Sequence, residues 1–227
     1  MKKIAIFQSE LGVGGIQKSC VNLLRAIDYS RVQVDLYLSS HDEFWQVEFP
    51  RELNVYYLKP ISRAYSFLPF DIAKRCVKYN FPHDTVYDLA IDFNSYQCSC
   101  AVGALTVPAK YRVMWIHNNV QIKLKDEWKY RVLWSAFNGK FKFYDEFVPV
   151  SAALEAPFKA ASGMADKPYT VIQNVIDVAE IREKMRETPE DLSIDKSCFN
   201  LVALGRLCHQ KGYDIMLSEF AKAAEER

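Results

Sequence analysis

The stretch that decides the fold is "KKIAIFQSELGVGGIQKSCVNLLRAI", residues 2–27. The apolar run at its start is typical of a parallel β-strand that is buried on both faces. A glycine-containing loop follows the run. Beyond the loop, the apolar side chains recur on one face of a predicted helix. The order of strand, glycine loop and helix therefore favours an α/β fold.

Six further apolar or alternating runs continue this pattern along the chain. Helix-length segments lie between most of them, and such alternation predicts a doubly wound, Rossmann-like parallel sheet. The predicted strands are VQVDLYL (32–38), NVYYL (54–58), VYDLAIDF (86–93), YRVMWIH (111–117), EFVPV (146–150) and YTVIQN (169–174).

The last third of the chain changes in character. Residues 178–197 are polar and charged and include Pro189, which predicts a short helix and a linker. The apolar run at 199–207 then predicts a new buried strand, and an apolar stripe in 211–227 predicts a helix. The predicted domains are a Rossmann-like domain at 1–176, a linker at 177–197, and the first strand–helix unit of an incomplete second Rossmann-like domain at 198–227.

Composition limits the class of protein. Half of the 227 residues are apolar and the formal net charge is +1, which gives no electrostatic argument for a nucleic-acid partner. The six cysteines form no CxxC pair, so we expect free, buried thiols and no metal site. The apolar run at the N-terminus is too short for a signal peptide, and no apolar run is long enough to span a membrane. We therefore expect a cytoplasmic protein.

The first candidate site is the glycine-rich turn "GVGGIQKS", residues 12–19. Gly14 and Gly15 permit close backbone approach, and the free N–H groups at the start of a helix suit an anion or a polar substrate. The turn matches neither GxGxxG nor the phosphate-binding GK[ST] loop. Glycines after a first strand are equally often turn residues only.

Two further candidates lie at predicted strand ends. His117 ends the fifth strand, where ligands of parallel sheets bind, and an imidazole there can donate to a sugar hydroxyl or a carbonyl. The alternative is a histidine that bonds only to the backbone. Arg206 and Lys211 flank the start of the last helix, where a guanidinium and an ammonium suit phosphate. The alternative is two exposed cations on a loop.

Five motifs occur together in an order that resembles one family. The chain is similar over nearly its whole length to the retaining glycosyltransferases of the GT-B fold, family 4. The resemblance implies two Rossmann-like domains, with the acceptor held mainly by the first and the nucleotide-sugar by the second. The motifs are "GGIQKSCVNLL", "WIHNN", "FVPVSAALEAPF", "VIQNVID" and "LVALGRLCHQKGYDIMLSEFAKA".

The resemblance also implies roles for single residues. His117 corresponds to the histidine that contacts the transferred sugar, and Arg206 and Lys211 to the pair that neutralises the diphosphate leaving group. Fixed cations stabilise that charge without a metal ion, so no cofactor is expected, and the leaving phosphate itself assists deprotonation of the acceptor. A loop that meets the donor phosphates or the acceptor contains Gly14, Gly15 and Lys18. The residues expected to line the cleft are Asn118, Ser151, Asn174 and Asp177.

The chain departs from the family pattern at three points. Val175 stands where the family usually has a glycine, and Asn118 stands where an acidic residue is frequent. The paired glutamates that grip the donor in the family's second domain do not occur in these residues. We therefore expect the 227-residue chain to lack transfer activity by itself.

Three other functions fit parts of the sequence. A nucleotide-sugar epimerase of similar fold would need catalytic carboxylates in the first domain, and Asp92 and Glu155 are candidates. A non-catalytic sugar-binding module is the second alternative. An NAD-dependent dehydrogenase is disfavoured, because the third glycine and an acidic residue at the end of the second strand are missing.

Two segments, 59–81 and 110–147, mix aromatic residues with lysine and arginine. Such a mixture suits an anionic membrane surface. We therefore predict peripheral binding at the inner face of the membrane and a lipid-linked glycan acceptor in cell-surface polysaccharide synthesis. The alternative is a solvated basic face over core-facing rings, which the spacing of Trp128, Leu133, Phe137 and Phe141 also allows.

Overall fold

The computed structural model describes residues 1–41, 49–59, 61–62, 65, 67–81, 85–94, 97–187, 195, 197–207 and 211–225. The chain divides into two compact units, Met1–Asp177 and Val178–Arg227. The predicted boundaries between an acceptor-side domain, a linker and a donor-binding domain stay a prediction.

Six parallel strands form one sheet in the first unit, in the order β3-β2-β1-β4-β5-β6. This is the strand order of a doubly wound, Rossmann-like sheet, and it confirms the predicted α/β class. The strands are β1 (Lys2–Gln8), β2 (Val32–Leu38), β3 (Asn54–Tyr57), β4 (Leu89–Asp92), β5 (Arg112–Ile116) and β6 (Glu146–Pro149).

Helices connect most of the strands and cover both faces of the sheet. Those of the first unit are α1 (Gly15–Ala26), α2 (Phe70–Cys76), α3 (Cys98–Thr106), α4 (Val120–Asp126), α5 (Trp128–Phe137) and α6 (Glu155–Ser162). Two 3₁₀ segments, Asn138–Phe143 and Ala152–Leu154, lie on either side of β6. The second unit contains α7 (Val178–Lys184) and α8 (Tyr213–Glu225), as the sequence predicts.

The two faces of the sheet have separate cores. On one face, Val21 and Leu24 of α1 pack with a cluster that includes Ile6 and Leu36. The neighbouring strand residues face the other way, where Phe7 and Tyr37 belong to a cluster with Cys100 and Ala104 of α3. Burial on both faces explains why the strands appear in the sequence as continuous apolar runs.

The seventh predicted strand, 169–174, does not form. Residues after Tyr169 run beside β6, but they share only a single bridge, between Phe147 and Tyr169. The amides of Thr170 and Ile172 donate to the carbonyls of Phe147 and Pro149 at 3.1 Å each. The next bridge would need an amide at Pro149, which proline lacks. The ladder therefore stops after one pair.

The strand predicted at 199–207 does not form either. Residues 199–207 have no strand structure, and Leu204 is fully exposed. A strand needs a partner strand to satisfy its backbone groups, and the described part of the second unit contains none. An apolar run alone was therefore an insufficient signal.

Burial in the basic, aromatic segments is mixed. Phe141 is buried, as the core-facing interpretation requires, but Trp128 is 63% exposed and contradicts it. Lys74 and Lys142 form ion pairs with Asp71 at 3.1 and 3.2 Å and lie over the ring of Phe143.

The predicted burial of all thiols is wrong. Cys76 and Cys198 are exposed, whereas Cys20 and Cys100 are buried; Cys208 lies outside the described residues.

Candidate functional site

The candidate site lies at the carboxyl edge of the sheet, where β1 and β4 are neighbours. The strand order reverses between these two strands, and doubly wound sheets bind their ligands outside such a reversal point. The residues that follow β1, β4 and β5 meet there. This edge brings together the glycine-rich loop, Asn94 and His117.

A hydrogen bond joins β1 and β4 across the reversal point. Asn94 Nδ2 donates to Ser9 Oγ at 2.7 Å, and both side chains are buried. Neither residue was a sequence candidate. The available signal was only that each lies within two residues of the end of a buried strand, because a hydroxyl–amide pair has no characteristic spacing.

His117 is held at the end of β5 by the backbone of the next strand. Its Nε2 lies 2.9 Å from the carbonyl oxygen of Phe93, and its ring packs against the Phe93 ring at 4.8 Å between centroids. A carbonyl only accepts hydrogen bonds, so Nε2 carries the hydrogen and Nδ1 is the acceptor nitrogen of a neutral ring. Burial lowers the pKa of His117 to about 4, although the bond to Phe93 acts in the opposite direction.

This geometry changes the chemistry predicted for His117. The sequence suggested an imidazole that donates to a sugar hydroxyl. The donor nitrogen instead bonds to the backbone carbonyl of Phe93, as expected for the alternative in which the histidine bonds to the backbone. Nδ1 has no partner among the residues that the structure describes, so it can accept a hydrogen bond from a ligand hydroxyl.

The glycine-rich loop leads into α1 without a side-chain cap. Gly14 occupies the N-cap position, and a Cβ at Gly15 would meet nothing within 4 Å. Neither has a backbone conformation that requires glycine, but a Cβ at Gly14 would clash with the side-chain amide of Gln17. The open space above Gly15 and the uncapped helix start suit a polar or anionic ligand group. Lys18, in the first turn of α1, is partly buried.

Two side chains of α1 hold the segment that leads out of the first unit. Ser19 Oγ donates to Oδ1 of Asn174 at 2.6 Å, and Asn22 Nδ2 donates to the carbonyl of Val175 at 3.0 Å. Asn174 was predicted to line the cleft. In this structure its side-chain oxygen accepts the hydrogen bond from Ser19 of α1. Asp177, the last residue of the unit, is half-buried.

Two other residues, Ser151 and Asn118, were predicted to line the cleft. The structure gives Ser151 a local role in the fold. Ser151 Oγ accepts from the amide of Ala153 at 3.4 Å and caps a 3₁₀ turn. Asn119, rather than Asn118, caps α4 by accepting from the amide of Gln121 at 3.0 Å. Asn118 is partly buried beside His117.

The carboxylates that an epimerase would need are both engaged in the fold. Asp92 is fully buried at the end of β4 and accepts a hydrogen bond from the Tyr144 hydroxyl. Burial raises the pKa of Asp92 to about 6, while the charge of the buried Lys140 and the bond from Tyr144 act against this shift. Glu155 forms an ion pair with Lys159 at 2.7 Å, one helical turn along α6. Asp92 is closed off from solvent, whereas Glu155 is partly exposed and is paired only within its own helix.

The phosphate-binding pair predicted from the sequence belongs to the second unit. The stem of Lys211 packs over Gly205, since a Cβ on that glycine would lie 3.5 Å from Lys211 Cγ and Cδ. This contact places Lys211 beside the residue that precedes Arg206. Gly212 then has a φ of 65°, which favours glycine, and α8 begins at the next residue.

The described residues contain no group of three or more His, Cys, Asp or Glu side chains that could hold a metal ion. In the same part of the chain, every helix is too short or too polar to cross a membrane.

No family model matches the chain, and no curated protein sequence matches it. Solved structures do resemble it at low identity. HepE of Anabaena in complex with UDP and glucose is 17% identical, with a TM-score of 0.49 and coverage of 82% of this chain and 50% of that chain. Apo UGT2 of Phytolacca americana is 11% identical, with a TM-score of 0.44 and coverage of 83% and 55%.

A third likeness is to an alpha-glucosyltransferase in complex with UDP and a 13-mer DNA that contains an HMU base. It is 14% identical, with a TM-score of 0.44 and coverage of 80% of this chain and 44% of that chain. This chain therefore spans about half the length of the solved structures it matches. At these scores and identities the likenesses establish neither family nor function.

Proposed function

We propose that this chain is part of a retaining glycosyltransferase, which transfers a sugar from a nucleotide-sugar donor to a glycan or a lipid-linked acceptor. The first unit would hold the acceptor, and the second unit would begin the donor-binding domain. No resident cofactor or metal takes part in this proposal. The resemblance of five motifs, in register along nearly the whole chain, supports it.

The observation that carries the proposal is the convergence of three features at one edge of the sheet. The open glycine-rich loop with its uncapped helix start, the Ser9–Asn94 bond and the neutral His117 lie at the ends of β1, β4 and β5. A neutral acceptor nitrogen beside free amide donors suits a ligand that carries both hydroxyl and phosphate groups.

In this proposal His117 is a positioning group for the sugar. Its Nδ1 accepts a hydrogen bond from a sugar hydroxyl, and its Nε2 bond to Phe93 prevents rotation of the ring. Because the ring is neutral at physiological pH, it adds no charge that would compete with the cations for the diphosphate. His117 therefore orients the sugar rather than exchanging a proton with it.

Arg206 and Lys211 supply the positive charge in the proposed reaction. Breaking the bond between the sugar and the diphosphate develops negative charge on the leaving group, and fixed cations stabilise that charge. In a protein that continues past residue 227, Arg206→Ala or Lys211→Ala should reduce transfer by a hundredfold or more, or about 3 kcal/mol of transition-state stabilisation.

Lys222→Ala is the matched control for this test. Lys222 is also a lysine of the second unit, and it pairs with Glu219 at 2.7 Å on the surface of α8. Its loss should leave transfer unchanged. Near-normal rates for both the Arg206 and the Lys211 variants would show that another site holds the diphosphate.

We further propose that α4 and α5 dock on the cytoplasmic face of an anionic membrane, where a lipid carrier would present the growing cell-surface glycan. Trp128 and Ile122 are 63% and 56% exposed, and the exposed Lys125 and Lys129 lie beside them in the sequence. Exposed aromatic and apolar side chains next to cations suit the lipid interface.

Flotation with vesicles tests this docking. The chain should rise with vesicles that contain phosphatidylglycerol and much less with phosphatidylcholine alone. Lys125→Gln/Lys129→Gln should abolish the difference, whereas Lys2→Gln/Arg31→Gln, which removes the same charge from exposed residues outside both basic segments, should not. Equal flotation of the chain with both kinds of vesicle would contradict an electrostatic docking face.

A further inference from the structure

We propose that a cavity beside the end of β3 binds an anionic sugar, that is, a sugar unit with a carboxylate or a phosphate group. The cavity has a volume of about 380 Å³ and lies between the residues that follow β3 and those at the end of α2. The inference rests on the proposed function, because it names the chemistry of one unit of the acceptor.

The size and the walls of the cavity suit a sugar. Binding pockets for small ligands have volumes of about 300–1,000 Å³. Three tyrosines, Tyr57, Tyr65 and Tyr79, contribute rings against which the C–H face of a pyranose can pack. Ser62 and Asn80 add polar groups that can bond to hydroxyls.

One wall of the cavity is continuous with the core of the first unit. Leu58 is buried, and it packs in the cluster that contains Phe7 and Tyr37; Tyr79 is packed against the same cluster. The hydroxyl of Tyr79 is buried and has no hydrogen-bond partner among the described residues. The core therefore fixes this wall of the cavity before any ligand binds.

The charge of the cavity selects an anion. Lys59 and Lys78 are exposed and line it from two different segments, whereas the described lining residues include no carboxylate. A ligand with a carboxylate or a phosphate would therefore meet two ammonium groups and no carboxylate among the lining residues that the structure describes.

The position of the cavity separates it from the site at His117. β3 is an edge strand and lies four strands from β5, which precedes His117; this corresponds to about 19 Å at the usual strand spacing. Parallel strands end at the same edge, so the cavity and the glycine-rich loop share one side of the sheet. The cavity would thus hold an acceptor unit at a distance from the reacting hydroxyl.

Cys76 provides a reporter within the cavity wall. It is a free, exposed thiol among the lining residues, and Cys198 is a free, exposed thiol in the second unit. Alkylation of each can be followed by peptide mass spectrometry in the same sample. Glucuronate and glucose 1-phosphate should slow the alkylation of Cys76 several-fold and leave Cys198 unaffected.

Two control ligands, glucose and inorganic phosphate, test whether both the charge and the sugar ring are recognised. Glucose should protect Cys76 much less, because it cannot use the lysines. Inorganic phosphate should also protect less than glucose 1-phosphate, because it does not contact the tyrosines. Equal protection by glucose and glucuronate, equal protection by phosphate and glucose 1-phosphate, or no protection by any probe would overturn the proposal.

Charge variants connect the protection to the two lysines. Lys59→Gln/Lys78→Gln should lose protection by glucuronate, whereas Lys59→Arg/Lys78→Arg and the control Lys125→Gln/Lys129→Gln should retain it. Circular dichroism would show that each variant is folded. Full protection in the glutamine variant would contradict the proposal. The measurement involves no donor and no turnover, so its failure differs from a failure of the transfer assay.

Discussion

His117 donates its Nε2 hydrogen to the backbone carbonyl of Phe93 at 2.9 Å, so one bond both joins the ends of β5 and β4 and fixes the tautomer of the ring. The acceptor nitrogen, Nδ1, is consequently the one left for a ligand. In the proposed function, such a histidine differs from a titrating acid or base, because it would act in its neutral form.

We therefore expect His117 to stay neutral down to an unusually low pH. Its imidazole should titrate with a midpoint near 4, because burial disfavours the charged ring. Nitrogen-15 NMR of labelled histidine, with the His117→Gln variant for assignment, measures both the midpoint and the protonated nitrogen. A midpoint near 6.5, or a hydrogen on Nδ1 at neutral pH, would refute this description of the site.

Asp92 and His117 should have opposite effects on stability as the pH falls. The pKa of Asp92 is raised from 3.8 to about 6. Its contribution to the free energy of unfolding is therefore complete below pH 3.8 and is lost as the pH rises through 6. The pKa of His117 is lowered from 6.5 to about 4, so its contribution is full above 6.5 and is lost as the pH falls toward 4. Each shift corresponds to about 3 kcal/mol, and the two largely offset each other.

Single substitutions should reveal the two contributions. Between pH 7 and 4.5, the free energy of unfolding of Asp92→Asn should fall relative to that of His117→Gln, by about 4 kcal/mol in total. Urea unfolding at several pH values measures this difference. Lys140 is present in both variants but loses its counter-charge in Asp92→Asn. Parallel pH profiles for the two variants would show that neither group is shifted as described.

The bond between Ser19 and Asn174 should stabilise the segment that leads out of the first unit. Ser19→Ala removes the donor of a 2.6 Å hydrogen bond and should cost about 1 kcal/mol, with faster amide exchange at 172–177. Ser30→Ala is the control, because the Ser30 hydroxyl bonds only locally, to Asp28. Additive effects of Ser19→Ala and Asn174→Ala in a double-mutant cycle would mean that the bond contributes nothing.

Substitution by alanine should have different effects on stability at Gly103 and at Gly15. A Cβ on Gly103 of α3 would lie 2.4 and 2.6 Å from two ring carbons of Phe7, so Gly103→Ala should destabilise the protein by about 1–3 kcal/mol. Gly15→Ala meets nothing within 4 Å and should leave stability unchanged or raise it by up to about 1 kcal/mol. Denaturant unfolding compares them, and equal stability of the two variants would contradict this account of α3 packing.

The sequence predicted most of the sheet for a simple physical reason. All six strands of the first unit were found, most of them because a strand that is buried on both faces is apolar throughout; β3, at the edge, is only partly buried. The same signal failed at 169–174 and 199–207, because a strand also depends on its partner. One segment meets Pro149, and the other has no partner strand among the described residues.

The candidate site was only partly visible in the sequence. His117 and the glycine-rich loop could be found because both follow predicted strands. The Ser9–Asn94 bond and the role of Asn22 could not, because each pairs side chains or backbone groups far apart in the chain. The nitrogen of His117 that carries the hydrogen is also set by the nearby carbonyl of Phe93, and no residue pattern predicts that contact.

Pro149 has a consequence for the behaviour of the protein at high concentration. An outer strand with a complete row of amides and carbonyls can recruit a strand from another molecule and so begin aggregation. At β6 the row is interrupted by Pro149, and the passing residues Thr170 and Ile172 already bond to two of its carbonyls. This side of the sheet is therefore protected against intermolecular strand addition, without the need for a seventh strand.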